Sequence, residues 1–181
     1  MESMGLSGLG RRMIELVPVG TENLELFRRV RLDALEESPR AFCSTYAREA
    51  QFEPGEWMRR VERWNGERGI GYLALDNGVG CGIAGGFLDE ADSGRAELVS
   101  MWTAPSCRRL GVGRQLVEGV MGWARRRGAH SLRLMVTSGN EAAIGFYLRL
   151  GFQNTGGTAP YPNDRALVEQ EMVISLLKEP G

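Results

Sequence analysis

Residues 107–116 read CRRLGVGRQL, with Gly111 and Gly113 standing where a strand-like run gives way to a helical one. Glycines at such a junction let bare backbone N–H groups approach a ligand, and the start of a helix favours an anion. A pyrophosphate suits that geometry. A glycine-rich turn without a ligand explains the same residues, so the surrounding sequence has to decide. A dinucleotide-binding turn would place glycine where Leu116 stands, and a nucleoside triphosphate loop would continue into Gly-Lys-Ser or Gly-Lys-Thr. Neither continuation is present.

Before this loop, 96–103 reads as a strand that stops at Pro105. After it, a helix is expected over 112–127 and a strand over 131–136. Strand, helix and strand in that order imply a parallel pair. Asp76-Asn77-Gly78 joins two further strand-like runs, 70–75 and 79–88. Asn-Gly is the strongest short hairpin signal, so these two strands are expected to be antiparallel. Towards the N-terminus, a short strand over 13–17 ends at Pro18, and Thr21 is the expected cap of a helix carrying Leu24, Phe27, Val30 and Ala34 at helical spacing. An irregular stretch, 40–53, leads to a second amphipathic helix with Trp57, Val61 and Trp64 on one side and Arg59, Arg60 and Arg63 elsewhere. Beyond 136, a helix over 141–150 is stopped by Gly151. Strands at 152–155 and 168–176 bracket a loop containing Pro160 and Pro162.

A chain of 181 residues, 43% hydrophobic, can bury one sizeable core but hardly two, so residues 12–181 are expected to form one domain behind a flexible tail, 1–11. With 22 Lys and Arg against 23 Asp and Glu, no overall field draws the chain to nucleic acid or to an anionic membrane. Arg125-Arg126-Arg127 reads as a helix end complementing its dipole rather than a nucleic-acid patch. Cys43, Cys81 and Cys107 are odd in number, lack CxxC spacing and have one histidine, His130, to join them. They read as reduced thiols of a cytoplasmic protein with no metal site, and His130 as a surface junction residue. No run approaches the ~18 apolar residues of a membrane span.

Arg108-Arg109-Leu110-Gly111-Val112-Gly113 matches every fixed position of (Arg/Gln)xxGx(Gly/Ala), the coenzyme A motif of the GNAT N-acetyltransferase superfamily. Residues 140–152, NEAAIGFYLRLGF, resemble the superfamily's second signature, in the expected order and on the expected helix. The close resemblance covers 97–152, with the flanking elements agreeing in type and order. It implies an α/β (α+β) fold: a mixed, mostly antiparallel central sheet of about seven strands, with a parallel pair in the middle and about four flanking helices. It implies acetyl-coenzyme A as acetyl donor, no metal, and a small-molecule or peptide amine as acceptor. A homodimer is compatible with it.

On residues alone, Phe146 and Tyr147 read as core. The resemblance implies that Tyr147 is the general acid, protonating the thiolate of coenzyme A as it leaves. It also implies that cofactor is held by backbone groups of Met101, Trp102 and Thr103 and by the loop from Arg108, Arg109, Leu110, Gly111, Val112 and Gly113 to Arg114. Asn140, Ala143, Phe146 and Tyr147 of the second signature complete the set. Phe146, ~100° round the helix from Tyr147, keeps its core reading as well. Glu97 stands where some members carry a glutamate base, and an ordinary strand glutamate explains it equally. Cys107 would lie at the phosphate end of the cofactor, away from the thioester, which argues against an acyl-enzyme. The connector 41–53 and the loop 156–167 would wall the amine pocket, where Asp164, Glu49 or Tyr161 could meet a cation if they are not simply solvated. Small amine, antibiotic, protein N-terminus and lysine side chain all stay open as acceptors. The alternative from another class is a non-catalytic acyl-coenzyme A sensor or partner-binding module of the same fold, which would have no need of Tyr147.

Overall fold

The computed structural model describes residues 13–177. The expected tail, 1–11, lies outside the described residues. The elements run β1 (Ile14–Pro18), α1 (Leu24–Glu37), α2 (Tyr46–Glu49), α3 (Pro54–Trp64), β2 (Gly69–Asp76), β3 (Val79–Leu88), β4 (Arg95–Thr103), α4 (Val112–Arg126), β5 (Ser131–Thr137), α5 (Glu141–Arg149), β6 (Gln153–Pro160) and β7 (Val168–Ser175). Seven strands form one sheet in the order β1-β2-β3-β4-β5-β7-β6. Every neighbouring pair is antiparallel except β4 and β5. This is the mixed α/β sheet expected, with its parallel pair inside it. The described helices number five rather than about four, because one turn, α2, forms inside the connector.

The hairpin turn follows its sequence: Asn77 and Gly78 take φ of 50° and 83°, which the two-residue connection needs. Helix α1 starts later than expected. Thr21 lies in a short 3-10 turn, and Asn23 precedes the helix, its side-chain oxygen accepting the Gly20 N–H at 2.9 Å. The strand expected over 152–155 extends to Pro160, since β7 offers a partner that local propensity cannot foresee.

Each sheet face carries its own core. Helix α4 covers one, burying Val112, Leu116, Val117, Val120 and Trp123 against Leu98, Leu132 and Leu134. Helices α1 and α3 cover the other, where Phe27, Val30, Trp57, Val61 and Trp64 meet Leu73 and Ile83. Phe27 meets Trp57 edge-on, with centroids 5.9 Å apart.

Two irregularities of β4 open the sheet at its centre. Its register against β3 shifts between Ile83 and Gly85, so that two residues, Ser100 and Met101, lie opposite Ala84; Ser100 has φ of 55°. That is a β-bulge. On its other side, β4 pairs with β5 only at Arg95↔Ser131, Ala96↔Leu132 and Glu97↔Arg133. Beyond Glu97 the two strands no longer pair, and the β4 edge from 98 to 103 faces an opening.

Candidate active site

The opening between β4 and β5 leads to the glycine loop. Arg109 and Gly111 take φ of 63° and 81°, turning the chain into α4. The N–H groups of Val112, Gly113 and Arg114, in the first turn, have no carbonyl within the helix to receive them. Together with the exposed Arg109 and Arg114 they give the helix start a positive potential, which favours an anion. Arg108 does something else. It donates to Glu37 at 2.7 Å and to the Thr103 carbonyl at 3.0 Å, bracing the loop against α1 and the end of β4.

Gly113 stands at a close contact between elements, which local sequence does not foresee. A Cβ there would lie 3.1 Å from both the Met101 methyl and the tip of Phe146, so α4 closes on β4 and α5 through this residue. Phe146 therefore does pack in the core, directly behind the loop. Asn140 caps α5, its side chain accepting the Ala143 N–H at 3.2 Å. Tyr147 is buried, with edge-on contacts to Phe146 and Phe152 at 5.2 and 5.6 Å. Burial pushes its phenol well above its ordinary pKa, so the hydroxyl is protonated at neutral pH. Among the described residues that hydroxyl makes no hydrogen bond.

Glu97 lies on the α1 and α3 side of the sheet, in a cleft of about 950 Å³ lined also by Arg63, Trp64, Phe87, Ser100 and Arg133. It shares the Arg133 guanidinium, 3.5 Å away, with Asp89 at 3.4 Å and Glu171 at 3.7 Å. Glu169 of β7 joins this group of charges. Burial, and then the charge of Glu97, push its carboxyl above the usual range.

A smaller cavity, about 460 Å³, lies between the connector and the turn after β5, lined by Arg40, Ala41, Thr137, Asn140 and Leu167. Both expected walls border it, tied together by Tyr161. The Tyr161 hydroxyl donates to the Phe42 carbonyl at 2.6 Å, and Asn163 donates to the same oxygen at 3.0 Å. Tyr161 is thus a buried strut rather than a solvated recognition residue. Glu49 is not solvated either: it is 0% exposed and clamped by Arg31 and Arg60. Asp164 is exposed and accepts the Ala166 N–H at 3.0 Å, a turn-forming role.

Residues 31–152 match the model of the acetyltransferase (GNAT) family. The chain belongs to the GNAT acetyltransferase family. No curated protein matches it significantly in sequence. Solved structures share the fold. A GNAT-family acetyltransferase from Streptococcus pneumoniae, 19% identical, superposes with a TM-score of 0.74 over 90% of this chain and 99% of its own. The ribosomal-protein-S18-alanine N-acetyltransferase of Escherichia coli, 21% identical, does so at 0.65 over 93% and 97%. An aminoglycoside 6'-N-acetyltransferase complexed with coenzyme A, 16% identical, does so at 0.66 over 93% and 99%. Among the described residues of this GNAT chain, no group of three or more His, Cys, Asp or Glu could hold a metal ion, and no helix is long and apolar enough to cross a membrane.

Several residues around the GNAT site carry no local signal. Glu37 closes α1 and accepts hydrogen bonds from Ser38, from the Trp102 indole at 2.9 Å and from Arg108. Burial raises its pKa, but those bonds and the Arg108 charge outweigh it and hold the carboxyl below the usual range. A depressed carboxyl contributes stability above its unfolded pKa and loses it as pH falls through the folded value. Between about pH 5 and pH 3, the wild type should therefore lose unfolding free energy faster than Glu37→Gln, as read by urea denaturation. Arg31, Ser100 and Glu169 are likewise invisible to pattern, since each acts through a partner remote in the chain.

Proposed function

We propose that the protein transfers the acetyl group of acetyl-coenzyme A to a primary amine, with both substrates bound together. The observation that carries this reading is the β4–β5 ladder, which ends after Glu97 and Arg133 and leaves strand edge open beside the start of α4. An amide-bearing arm can pair with such an edge as an added strand would, while the first turn of α4 receives a pyrophosphate. The residues fit coenzyme A. Backbone of Met101, Trp102 and Thr103 would hold the pantetheine, and Leu110 to Arg114, with Arg109, the phosphates. Asn140, Ala143 and Phe146 would border it. Bound there, it supplies an activated acetyl thioester.

The chain's own groups supply the rest. N–H groups at the β4 bulge polarise the acetyl carbonyl. Glu97, lining the larger cleft, takes the proton that an alkylammonium must lose before it can attack. Tyr147 gives its proton to the departing sulfur. An amine acceptor is supported by two neighbours of the same fold, whose names specify an alanine of a ribosomal protein and an aminoglycoside.

No thiol carries the acetyl group. Cys107 is buried where the loop begins, and the exposed Cys43 has its thiol pushed up by burial and by the charges of Glu169 and Glu97. A panel of amines assayed by release of thiol should reveal turnover. With the best acceptor, varying both substrates should give intersecting double-reciprocal lines, and Cys107→Ser should keep most of the activity. Parallel lines with an acetylated cysteine in the intact mass would overturn direct attack.

The phosphate end has its own test. Arg114 is exposed and, among the described residues, makes only an i,i+4 pair with Glu118. Arg114→Glu should therefore leave the fold intact, the favourable helix dipole offsetting the small repulsion from Glu118. Coenzyme A affinity should fall ~10-fold by calorimetry. Unchanged affinity would remove this side chain from the cofactor site. Gly113→Asp is a poorer probe, because its side chain would first meet Met101 and Phe146.

A further inference from the structure

Arg31 is a charged residue in the middle of α1, yet it is 4% exposed and every arm of its guanidinium is occupied. Nε and Nη2 donate to the two carboxylate oxygens of Glu49 at 3.0 and 2.9 Å, and the Phe42 ring lies 4.8 Å from the guanidinium carbon. Glu49 also receives Arg60, at 3.0 Å. The third arm, Nη1, leaves this cluster, reaches the sheet and donates to the Ser100 hydroxyl at 2.8 Å.

Ser100 is an unusual residue to find at the end of that arm. It has φ of 55° inside a strand, a conformation that costs a side-chain-bearing residue ~1–2 kcal/mol. Glycine or asparagine would adopt it more readily. Such a conformation persists where the surroundings over-determine it, and such residues cluster at functional sites. Glu49 already accepts two hydrogen bonds from Arg31, and a neutral hydroxyl adds nothing to the charge balance of Arg31 and Arg60 against one carboxylate. Ser100 also lines the larger cleft, where water could satisfy its hydroxyl. The bond from Arg31 thus acts chiefly on the backbone of β4, at the bulge where the strand turns its edge to the opening.

We propose that Arg31 is a positioning residue for acetyl transfer: by holding the Ser100 hydroxyl it fixes the β4 bulge, and so the direction of the N–H groups that meet the acetyl carbonyl. This role rests on the proposed acetyl-coenzyme A chemistry. Because Glu49 lies on α2, in the connector, the same cluster ties that side of the molecule to the bulge.

The test uses Ser100→Ala, Ser100→Gly and Arg31→Lys, each with its melting temperature recorded. Ser100→Ala should lower kcat at saturating substrates ~10-fold with little change in coenzyme A affinity. Ser100→Gly also lacks the hydroxyl but takes positive φ without penalty, so it should retain more of kcat than the alanine variant. Arg31→Lys, which leaves a charge for Glu49, should lower kcat and add little on top of Ser100→Ala. A readout without turnover is the infrared carbonyl stretch of bound, carbonyl-labelled acetyl-coenzyme A. It should lie below its value in water for the wild type and move back towards it in Ser100→Ala. Wild-type kcat and carbonyl frequency in Ser100→Ala would overturn the role of Arg31, as would a glycine variant no better than the alanine one. A wild-type protein that fails to bind acetyl-coenzyme A would instead overturn the functional reading itself.

Discussion

Tyr147→Phe is expected to lower kcat by ~10²-fold or more while leaving coenzyme A affinity nearly unchanged. The substitution removes one oxygen and keeps the ring, so the edge-on contacts with Phe146 and Phe152 persist and the core should not collapse. A core tyrosine whose hydroxyl makes no hydrogen bond among the described residues has little structural use for that group. Its loss should cost no stability and could add some. Catalysis is another matter on the proposed reading, in which the protonated phenol supplies the proton that the departing thiolate takes. Initial rates, calorimetry and a melting curve on the same preparation separate the two roles. Near-normal turnover across pH would return Tyr147 to core packing and leave the general acid to another group.

Glu49→Gln should be strongly destabilising, at ~3–5 kcal/mol. The amide keeps the shape of the side chain, but Arg31, with a side chain 5% exposed, would lose its counter-charge, and so would Arg60. Uncompensated buried charge is costly in a way that an absent ion pair is not. Urea unfolding of the two proteins at neutral pH measures the difference. Its pH dependence has a definite sign. Burial pushes the Glu49 carboxyl up, but Arg31 and Arg60 more than reverse this and hold it below the usual range. Its contribution is therefore full above the ordinary carboxylate pKa, ~4.3, and fades as pH drops through the lowered folded value. The gap between wild type and Glu49→Gln should narrow on that side alone. A gap below about 1 kcal/mol at neutral pH would mean that the cluster is solvated in solution.

Local backbone chemistry and hydrophobic period determined, by sequence alone, most of the elements and where the glycine turn sits, though not the single helical turn α2 inside the connector. Asn77-Gly78 closes a hairpin because few other pairs tolerate two positive φ angles, and Trp57, Val61 and Trp64 fall on one buried stripe because helical spacing puts them there. The glycines of 108–113 and the tyrosine of 140–152 are short patterns within a few residues of chain, and so the family was legible too. What only the tertiary structure decided are the meetings of residues far apart in the chain. Arg31 resembles any arginine on an amphipathic helix until Glu49 and Ser100, 18 and 69 residues away, enclose it. Arg108 stands at a motif position, yet its charge belongs to Glu37, 71 residues earlier. Tyr161 in a loop looks solvated until the Phe42 carbonyl, 119 residues back, accepts its hydrogen bond. The opening between β4 and β5 is of the same kind. Nothing in either strand's own residues states how many ladder pairs form, because that depends on where the two strands diverge in the folded sheet.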